Sequence, residues 1–413
     1  MESFITKSDF FGGNNPEDIA REYNTPVYVY NEDIIRSRMS AVSKVITKYP
    51  YTANYSVKAN TNIHILKLAL EEGINCDAMS VGEIKMLEAA GFPYERIFFV
   101  PNNVSDAEMN YAIERNIMTS LDSLSQLEQY GNLNPGGKCA VRINPGVGAG
   151  HHEKVVTGGK KTKFGISEND IPEIFSIATK YNLTIAGINQ HIGSLFMQPD
   201  PYLDAVSNLL RIAKQFKNLE FIDFGGGYGI PYHKLDDEKE YPMEDFSKRL
   251  EPIIDAFVKE YGSTPLFKSE PGRYCVAEGS VILGRVHATK ENSGKTYVGT
   301  DVGMNVLVRP SMYDSWHDIE VIREGKVVSR ENLLETNVCG NICESGDLLA
   351  KDRMLPEIEK GDLVCVLDTG AYGYSMCSTY NSRPRPAEIM VCHDKSLKVI
   401  RRAETYEDLF RYM

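Results

Sequence analysis

Lys58 is the residue whose type and position say most about chemistry in this sequence. It lies in the segment YSVKAN, residues 55–60, between an alternating apolar pattern that predicts a strand and the helical pattern of residues 62–72. In parallel α/β proteins, the loops that leave the carboxyl ends of strands carry the catalytic groups. Most lysines are solvated surface groups, but a desolvated ammonium has a lowered pKa and becomes a nucleophilic amine. We therefore interpret Lys58 as a candidate imine-forming lysine.

Other predicted strands are also followed by polar residues or glycines. Asp77, Ser80 and Gly82 follow the second strand, His191 and Ser194 follow the sixth, and a glycine cluster that includes Gly226 and Gly227 follows the seventh. An imidazole can stack on a ligand or protonate it, and glycine-rich loops in many barrels bind phosphate through backbone amides. Each feature alone has a structural alternative, a satisfied histidine or a plain turn. Their shared position at strand ends is what favours a ligand site.

The segment EPGR, residues 270–273, follows the eighth predicted strand. Glu270 and Arg273 could form a surface ion pair, which is common and contributes little to stability. At the mouth of a barrel, Glu270 could instead meet a ring nitrogen and Arg273 a carboxylate or phosphate. Gly272 lies between them in the same turn.

Two polar segments lie nearer the C-terminus. The segment CESGD, residues 343–347, contains Cys343 and Glu344, and the segment GAYGY, residues 370–374, contains Tyr372. A hairpin loop with an idle thiol and a plain turn are the structural interpretations. A thiol held in an active site can instead act as an acid.

The spacing of the patterns predicts an α/β fold, a (β/α)8 TIM-type barrel with a mostly β C-terminal domain. We expect the barrel over residues 31–274, and the β-sheet domain over residues 1–30 and 275–413. The loop 148–163 is expected to cover the barrel mouth. The predicted barrel strands cover residues 51–57, 75–78, 97–99, 118–121, 139–143, 185–191, 221–224 and 266–269.

Charge and composition limit the possible partners. The formal net charge of −12 argues against a nucleic-acid partner, which needs a concentrated basic surface. The N-terminus lacks the apolar core of a secretory signal, and no apolar run is long enough to span a bilayer, so we expect a cytoplasmic protein. The eight cysteines lack metal-type spacing, so free thiols and no metal site are expected.

With these segments identified, the chain resembles the pyridoxal-phosphate (PLP) dependent decarboxylases of the alanine racemase fold (fold type III), and among them the diaminopimelate decarboxylases. Seven motifs carry the resemblance in order: YSVKAN at 55–60, HIGS at 191–194, GGGYGI at 225–230, EPGR at 270–273, RPSMYDSWH at 309–317, CESGD at 343–347 and GAYGYSMCSTYNSRPRP at 370–386. The resemblance implies a PLP-binding barrel and a head-to-tail homodimer with shared active sites. Trp316 and residues 195–199 are not matched to a family pattern.

The resemblance also implies roles for individual residues. Lys58 would hold PLP covalently, His191 would stack on its ring, Glu270 would face its pyridine nitrogen, and Cys343 would supply a proton from the partner chain. The remaining cofactor contacts would be Asp77, Ser194, Gly226, Gly227, Gly272, Arg273 and Tyr372. The substrate contacts would be Arg273, Arg309, Tyr313, Glu344 and Tyr372.

The implied reaction is decarboxylation of meso-2,6-diaminopimelate to L-lysine and CO2, the last step of lysine biosynthesis. Arg273 and Arg309 would bind the distal carboxylate, because bidentate guanidinium geometry selects a planar anion. An enzyme acting on ornithine needs no such pair. The alternatives are a related decarboxylase acting on ornithine, lysine or a carboxylated polyamine, a racemase of the same fold, and a PLP-binding relative without turnover.

Overall fold

The structure is a computed structural model that describes residues 3–144 and 163–413. The chain divides into two compact units. The barrel unit comprises Arg38–Ile230 and Glu240–Cys275, and the β unit comprises Met1–Ser37, Pro231–Lys239 and Val276–Met413. Residues 148–162 of the predicted loop lie outside the described residues. Within the described ranges, no helix combines the length and apolar character needed to cross a membrane.

The barrel unit is built around a closed parallel sheet, which confirms the predicted (β/α)8 barrel. Among the described residues, eight strands pair in a ring, because the last strand pairs with the first. Parallel strands are buried on both faces and therefore read as short apolar runs. The strands are Tyr51–Ser56, Asn75–Ala78, Ile97–Phe99, Met118–Leu121, Lys138–Asn144, Thr184–Asn189, Phe221–Asp223 and Leu266–Ser269, and the short strand Ile166–Ser167 pairs with the fifth of them.

Several helices of the barrel unit begin at side-chain caps in the loops that follow the strands. Ser80 Oγ accepts a hydrogen bond from the Glu83 N–H at 3.2 Å, and Ser105 forms a capping box with Glu108. Such caps satisfy N–H groups that the start of a helix leaves unpaired. The helices are Ile63–Glu71, Val81–Ala90, Asp106–Ile113, Leu124–Leu133, Ile171–Tyr181, Asp200–Ala213, Met243–Tyr261 and Arg273–Val276.

The β unit contains a mixed sheet, which includes the early strand Val27–Asn31. That strand pairs antiparallel with Ser280–Asn292 and parallel with Ala387–Val391. The other strands are Lys295–Thr300, Ile319–Arg323, Lys326–Val327, Leu333–Cys339, Leu348–Pro356, Leu363–Val366 and Leu397–Arg401. Its helices are Phe4–Lys7, Pro16–Tyr23, Arg309–Tyr313 and Tyr406–Phe410.

Residues 31–48 carry a helical pattern, and the helix found there, Glu32–Val42, is shorter than that pattern. Asn31 caps its start, because Asn31 Oδ1 accepts a hydrogen bond from the Ile34 N–H at 3.0 Å.

Candidate active site

Lys58 lies in the tight turn Val57–Ala59 that directly follows the first barrel strand. Val57 and Ala59 are buried, and Lys58 is half-buried between them. The turn is anchored through Ser56, whose N–H donates to the Pro271 carbonyl at 3.1 Å and whose Oγ donates to Asp77 Oδ2 at 2.9 Å. The lysine is therefore held at the carboxyl end of the barrel, beside Pro271 after the eighth strand and Asp77, which lies within the second strand and not after it as expected.

Three buried carboxyl groups share this end of the barrel: Asp77, Asp223 and Glu270. Burial raises the pKa of Asp77 to about 7 and that of Asp223 to about 6. Burial also raises the pKa of Glu270 well above its ordinary value, and the two aspartates raise it further while Lys58 and Arg142 oppose the shift. The site therefore favours a cationic partner, which would let these acids ionise.

The surroundings of Glu270 show whether the residues at this end of the barrel fit PLP, the cofactor that the resemblance implies. The Glu270 side chain is 5% exposed, and its Oε1 has no hydrogen-bond partner within the described residues. A buried acceptor without a donor is costly, so such an atom indicates a missing partner. The protonated ring nitrogen of PLP is a cationic N–H donor and suits this carboxylate. The chemistry of the site therefore fits the cofactor.

His191 lies two residues beyond the Thr184–Asn189 strand and is held as a neutral imidazole. Its Nδ1 accepts a hydrogen bond from the Gly226 N–H at 3.2 Å, so the ring proton resides on Nε2. Burial lowers the pKa of His191 well below its usual value, and the positive charges of Lys58 and Arg142 lower it further. An uncharged ring face results, which suits stacking on a cofactor.

The glycine cluster after the Phe221–Asp223 strand is packed too closely for side chains. A Cβ at Gly225 would lie 2.2 Å from the Gln190 carbonyl oxygen, and one at Gly226 would lie 1.9 Å from the Glu270 carbonyl oxygen. Gly227 adopts a φ of +118°, which side chains rarely tolerate. Glycine at these positions therefore lets the loop pack closely against the residues that follow the sixth and eighth barrel strands.

Ser194 and Arg273 contact each other within the barrel unit. Arg273 Nη2 donates to Ser194 Oγ at 3.1 Å, and the Arg273 side chain is 6% exposed. Gly272 is buried between Glu270 and Arg273, and its carbonyl accepts a hydrogen bond from Cys275. The EPGR turn therefore presents an acid and a guanidinium at one end of the barrel.

Arg142 and Asp223 also belong to this site, but no sequence motif includes them. Arg142 is buried in the Lys138–Asn144 strand, with Nη1 3.7 Å from Asp122 Oδ1. Asp223 accepts the Gly225 N–H at 2.9 Å and the Asn54 amide at 3.2 Å. A charged residue inside an apolar strand was the available signal, because such residues are rarely buried unless paired.

In the β unit, Arg309 is 2% exposed and lies at the start of the Arg309–Tyr313 helix. Its Nη1 donates to Tyr232 OH at 3.0 Å and contacts His317 Nε2 at 2.8 Å, and its Nη2 donates to Ser315 Oγ at 3.3 Å.

Two tyrosines that were predicted to contact the ligands also lie in the β unit. Tyr313, on the Arg309–Tyr313 helix, is half-buried. Tyr372 is also half-buried. Its φ of +58° places its backbone in the left-handed region, which is uncommon for a residue with a bulky side chain.

Cys343 is exposed in a loop of the β unit that is held by Asp347. Asp347 accepts backbone N–H groups from Met304 at 2.6 Å and Ile342 at 2.7 Å. The Cys343 N–H donates to Asn381 Oδ1 at 2.9 Å, and the neighbouring Glu344 carboxylate accepts the Tyr380 hydroxyl. The loop thus presents a thiol and a carboxylate side by side on an ordered backbone.

The sequence of this chain is similar to those of known proteins. Residues 32–277 match the family model described as "Pyridoxal-dependent decarboxylase, pyridoxal binding domain". A diaminopimelate decarboxylase from Methanothermobacter thermautotrophicus is 41% identical over 409 residues, which cover 97% of this chain and 94% of that protein. The chain therefore matches this relative over nearly the full length of both.

Two solved structures show how far the likeness extends. Diaminopimelate decarboxylase from Helicobacter pylori, complexed with L-lysine, superposes with a TM-score of 0.88 at 32% identity, covering 96% of this chain and 98% of that one. A lysine/ornithine decarboxylase from Vibrio vulnificus, complexed with cadaverine, has a TM-score of 0.78 at 21% identity, covering 94% of this chain and 98% of that one. At that identity, the second likeness concerns the fold alone.

Proposed function

This chain belongs to the pyridoxal-dependent decarboxylases and, among them, to the diaminopimelate decarboxylases, and we propose on that basis that it converts meso-2,6-diaminopimelate to L-lysine and CO2. The structural observation that carries the proposal is the buried Glu270 carboxyl, whose Oε1 has no hydrogen-bond partner in the described residues, at the same end of the barrel as Lys58. An amine and a carboxyl in these positions suit a covalently held pyridine cofactor.

PLP, when bound, supplies a sink for the electron pair that the departing carboxylate leaves behind. Lys58 is the proposed point of covalent attachment. Glu270 would hold the proton of the ring nitrogen, and in doing so would gain the donor that its Oε1 lacks. His191, which is kept neutral, would present a flat and uncharged face to the ring. Asp77 would contribute a second acceptor at the same barrel end.

Phosphate binding is assigned to the loops of the barrel and to one tyrosine. The close-packed backbone at Gly226 and Gly227 and the Ser194–Arg273 pair support this assignment. Gly272 allows the turn that places Arg273, and Tyr372 is the proposed contact from the β unit. Backbone amides and a guanidinium are the groups that recognise phosphate in many unrelated sites.

Substrate choice is assigned to groups that recognise the distal end of the molecule. The guanidinium groups of Arg273 and Arg309 would bind the distal carboxylate, with Tyr313 and Tyr372 alongside. Glu344 would accept the distal ammonium. The burial of Arg309 supports this role, because a desolvated guanidinium attracts a carboxylate more strongly than an exposed one does.

Cys343 is the proposed donor of the proton that replaces the lost carboxylate. The thiol is exposed beside Glu344, which supports a role in a site completed by another chain. We propose a homodimer in which these two residues serve the partner's site. The expected cytoplasmic location stays a prediction.

Release of CO2 from meso-diaminopimelate by the PLP-reconstituted protein, with L-lysine as product, tests the proposal. Substituting Arg309 with alanine should abolish this activity while the cofactor stays bound. Full activity of that variant would favour the alternative, a decarboxylase for lysine, ornithine or a carboxylated polyamine. Cofactor binding without CO2 release from any diamino acid would favour the non-catalytic alternative.

A further inference from the structure

The guanidinium of Arg309 is oriented by two neutral acceptors within the β unit. Its Nη1 is 3.0 Å from the Tyr232 hydroxyl and 2.8 Å from His317 Nε2. The Tyr232 and His317 rings also contact each other edge to face, with centroids 5.2 Å apart. A guanidinium donates through a planar set of five N–H groups, so two bonds to one nitrogen restrict the rotation of the whole plane.

The partners of His317 determine its tautomer. Nδ1 lies 2.8 Å from the Leu367 carbonyl oxygen, which can only accept, so Nδ1 carries the proton. Nε2 lies 2.8 Å from Arg309 Nη1, which can only donate, so Nε2 presents its lone pair. The imidazole is therefore a neutral bridge from the backbone to the guanidinium.

The segment that carries His317 is held on both sides. The Leu367 N–H donates to the Asp318 carbonyl at 2.9 Å, and Asp318 Oδ2 accepts the Leu235 N–H at 2.8 Å. Before His317, the Trp316 ring stacks on His233 with centroids 4.1 Å apart. The Arg353 guanidinium lies 3.1 Å from the centroid of the Trp316 ring. His317 is thus fixed by contacts of its backbone neighbours as well as its own.

We propose that His317 and Tyr232 are positioning residues that orient the Arg309 guanidinium for the distal carboxylate of the substrate. The inference rests on the proposed function, which assigns that carboxylate to Arg309. Nη1 donates to His317 and Tyr232, and Nη2 donates to Ser315 Oγ at 3.3 Å, so these contacts hold the guanidinium plane in one orientation. His317 and Tyr232 would set that orientation without contacting the substrate.

Two substitutions of His317 separate its two hydrogen bonds. The amide nitrogen of His317→Asn lies near the position of Nδ1 and can donate to Leu367, but the shorter side chain does not reach Arg309. The amide of His317→Gln reaches the position of Nε2 and can accept from Arg309. The asparagine variant therefore keeps the bond to the backbone and loses the bond to the guanidinium, whereas the glutamine variant does the reverse.

Equilibrium binding of L-lysine and of cadaverine to the PLP-loaded protein, measured by calorimetry, tests the proposal. L-lysine has the distal carboxylate and cadaverine does not. We expect His317→Asn to weaken L-lysine binding by roughly tenfold or more, because the guanidinium loses a hydrogen bond that holds it in the orientation suited to the carboxylate. Cadaverine binding should change by less than about twofold, and His317→Gln should retain most of the L-lysine affinity.

If His317→Asn lost affinity equally for L-lysine and cadaverine, or kept an unchanged affinity for L-lysine, the positioning role would be overturned. Tyr232→Phe keeps the ring and removes the hydroxyl that accepts from Arg309, so it should show the same selective loss of affinity for L-lysine. If His317→Asn does not fold, Tyr232→Phe provides the test of the positioning role. CO2 release by the wild-type protein is measured in parallel. Its absence would contradict the proposed function, and an active wild type with unselective variants would contradict the positioning role alone.

Discussion

The N–H of Gly226 donates a hydrogen bond of 3.2 Å to Nδ1 of His191, and so joins the loops that follow two neighbouring barrel strands. The bond fixes the imidazole tautomer from the backbone. Two further backbone bonds strengthen the link, since the Phe196 N–H donates to the Gly227 carbonyl and the Gly229 N–H to the Phe196 carbonyl, both at 2.9 Å. Residues 195–199, which matched no family pattern, thus help to hold the candidate phosphate loop.

Replacing Lys58 with alanine should abolish covalent attachment of the cofactor. We expect the PLP-incubated variant to lose all cofactor on dialysis after borohydride treatment, whereas the wild type retains it as a mass increment on the peptide containing Lys58. Mass spectrometry of the digested protein measures this. Retention of the increment on another lysine would show that the attachment point is misassigned.

Replacing Glu270 with glutamine should slow turnover and leave the cofactor attached. Glutamine is nearly isosteric but does not favour a protonated ring nitrogen, so we expect kcat to fall on the order of 10²-fold, the size typical for a misplaced acid or base. Glu244→Gln, which alters an exposed glutamate paired with Lys248, is the control and should retain wild-type kcat. A normal kcat in the Glu270 variant would remove this residue from the mechanism.

The barrel could be predicted from sequence because parallel strands and their helices carry clear local patterns. The Asn75–Ala78 and Leu266–Ser269 strands have the predicted bounds. The Leu124–Leu133 helix has a weaker sequence signal, because its polar residues and Gly131 interrupt the apolar period. In the β unit, the Leu333–Cys339 strand lacks a clear alternating pattern because the adjacent Leu334 and Glu335 are both exposed, and its pairing with Leu348–Pro356 is non-local.

The sequence identifies site residues where they stand in short motifs. Lys58 and Glu270 stand in short motifs beside predicted strands, so position alone singled them out. Arg142 and Asp223 lie inside strands, where no motif marks them. His317 was contained in a motif, but its role depends on which atoms Leu367 and Arg309 present to its two nitrogens. Such a relationship is a property of tertiary structure.

Replacing Cys343 with alanine should reduce turnover without loss of cofactor, because the thiol is assigned to protonation and not to anchoring. We expect a fall in kcat of roughly 10²-fold, as for loss of a positioned acid. Cys392→Ala is the matched control, since that thiol is in the same unit and no role is assigned to it. Steady-state CO2 release measures both variants, and equal kcat values for the two would exclude the thiol from catalysis.

Asp77 should make the cofactor-free protein less stable as the pH rises. Its pKa is about 7 in the folded protein against an ordinary 3.8. Between these values the folded state binds more protons than the unfolded state, so stability falls as pH rises through the interval. Asp77→Asn removes the buried charge and should be more stable than the wild type by roughly 1–3 kcal/mol above pH 7.

The stability difference between Asp77→Asn and the wild type should shrink as the pH falls from about 7 towards 4, because wild-type Asp77 then becomes protonated. Thermal melts across this range measure it. Asp204→Asn, at an exposed helix position, is the control and should show no such trend. A constant difference at every pH would contradict the raised pKa.

The central claim is most directly tested by CO2 release from a panel of substrates under identical conditions. The PLP-reconstituted protein is assayed with meso-diaminopimelate, D- and L-lysine, and D- and L-ornithine. The account predicts preference for meso-diaminopimelate with L-lysine as the product, because Arg273, Arg309 and Glu344 are assigned to its distal end. Preference for lysine or ornithine would keep the fold and cofactor but contradict the substrate and the role given to Arg309.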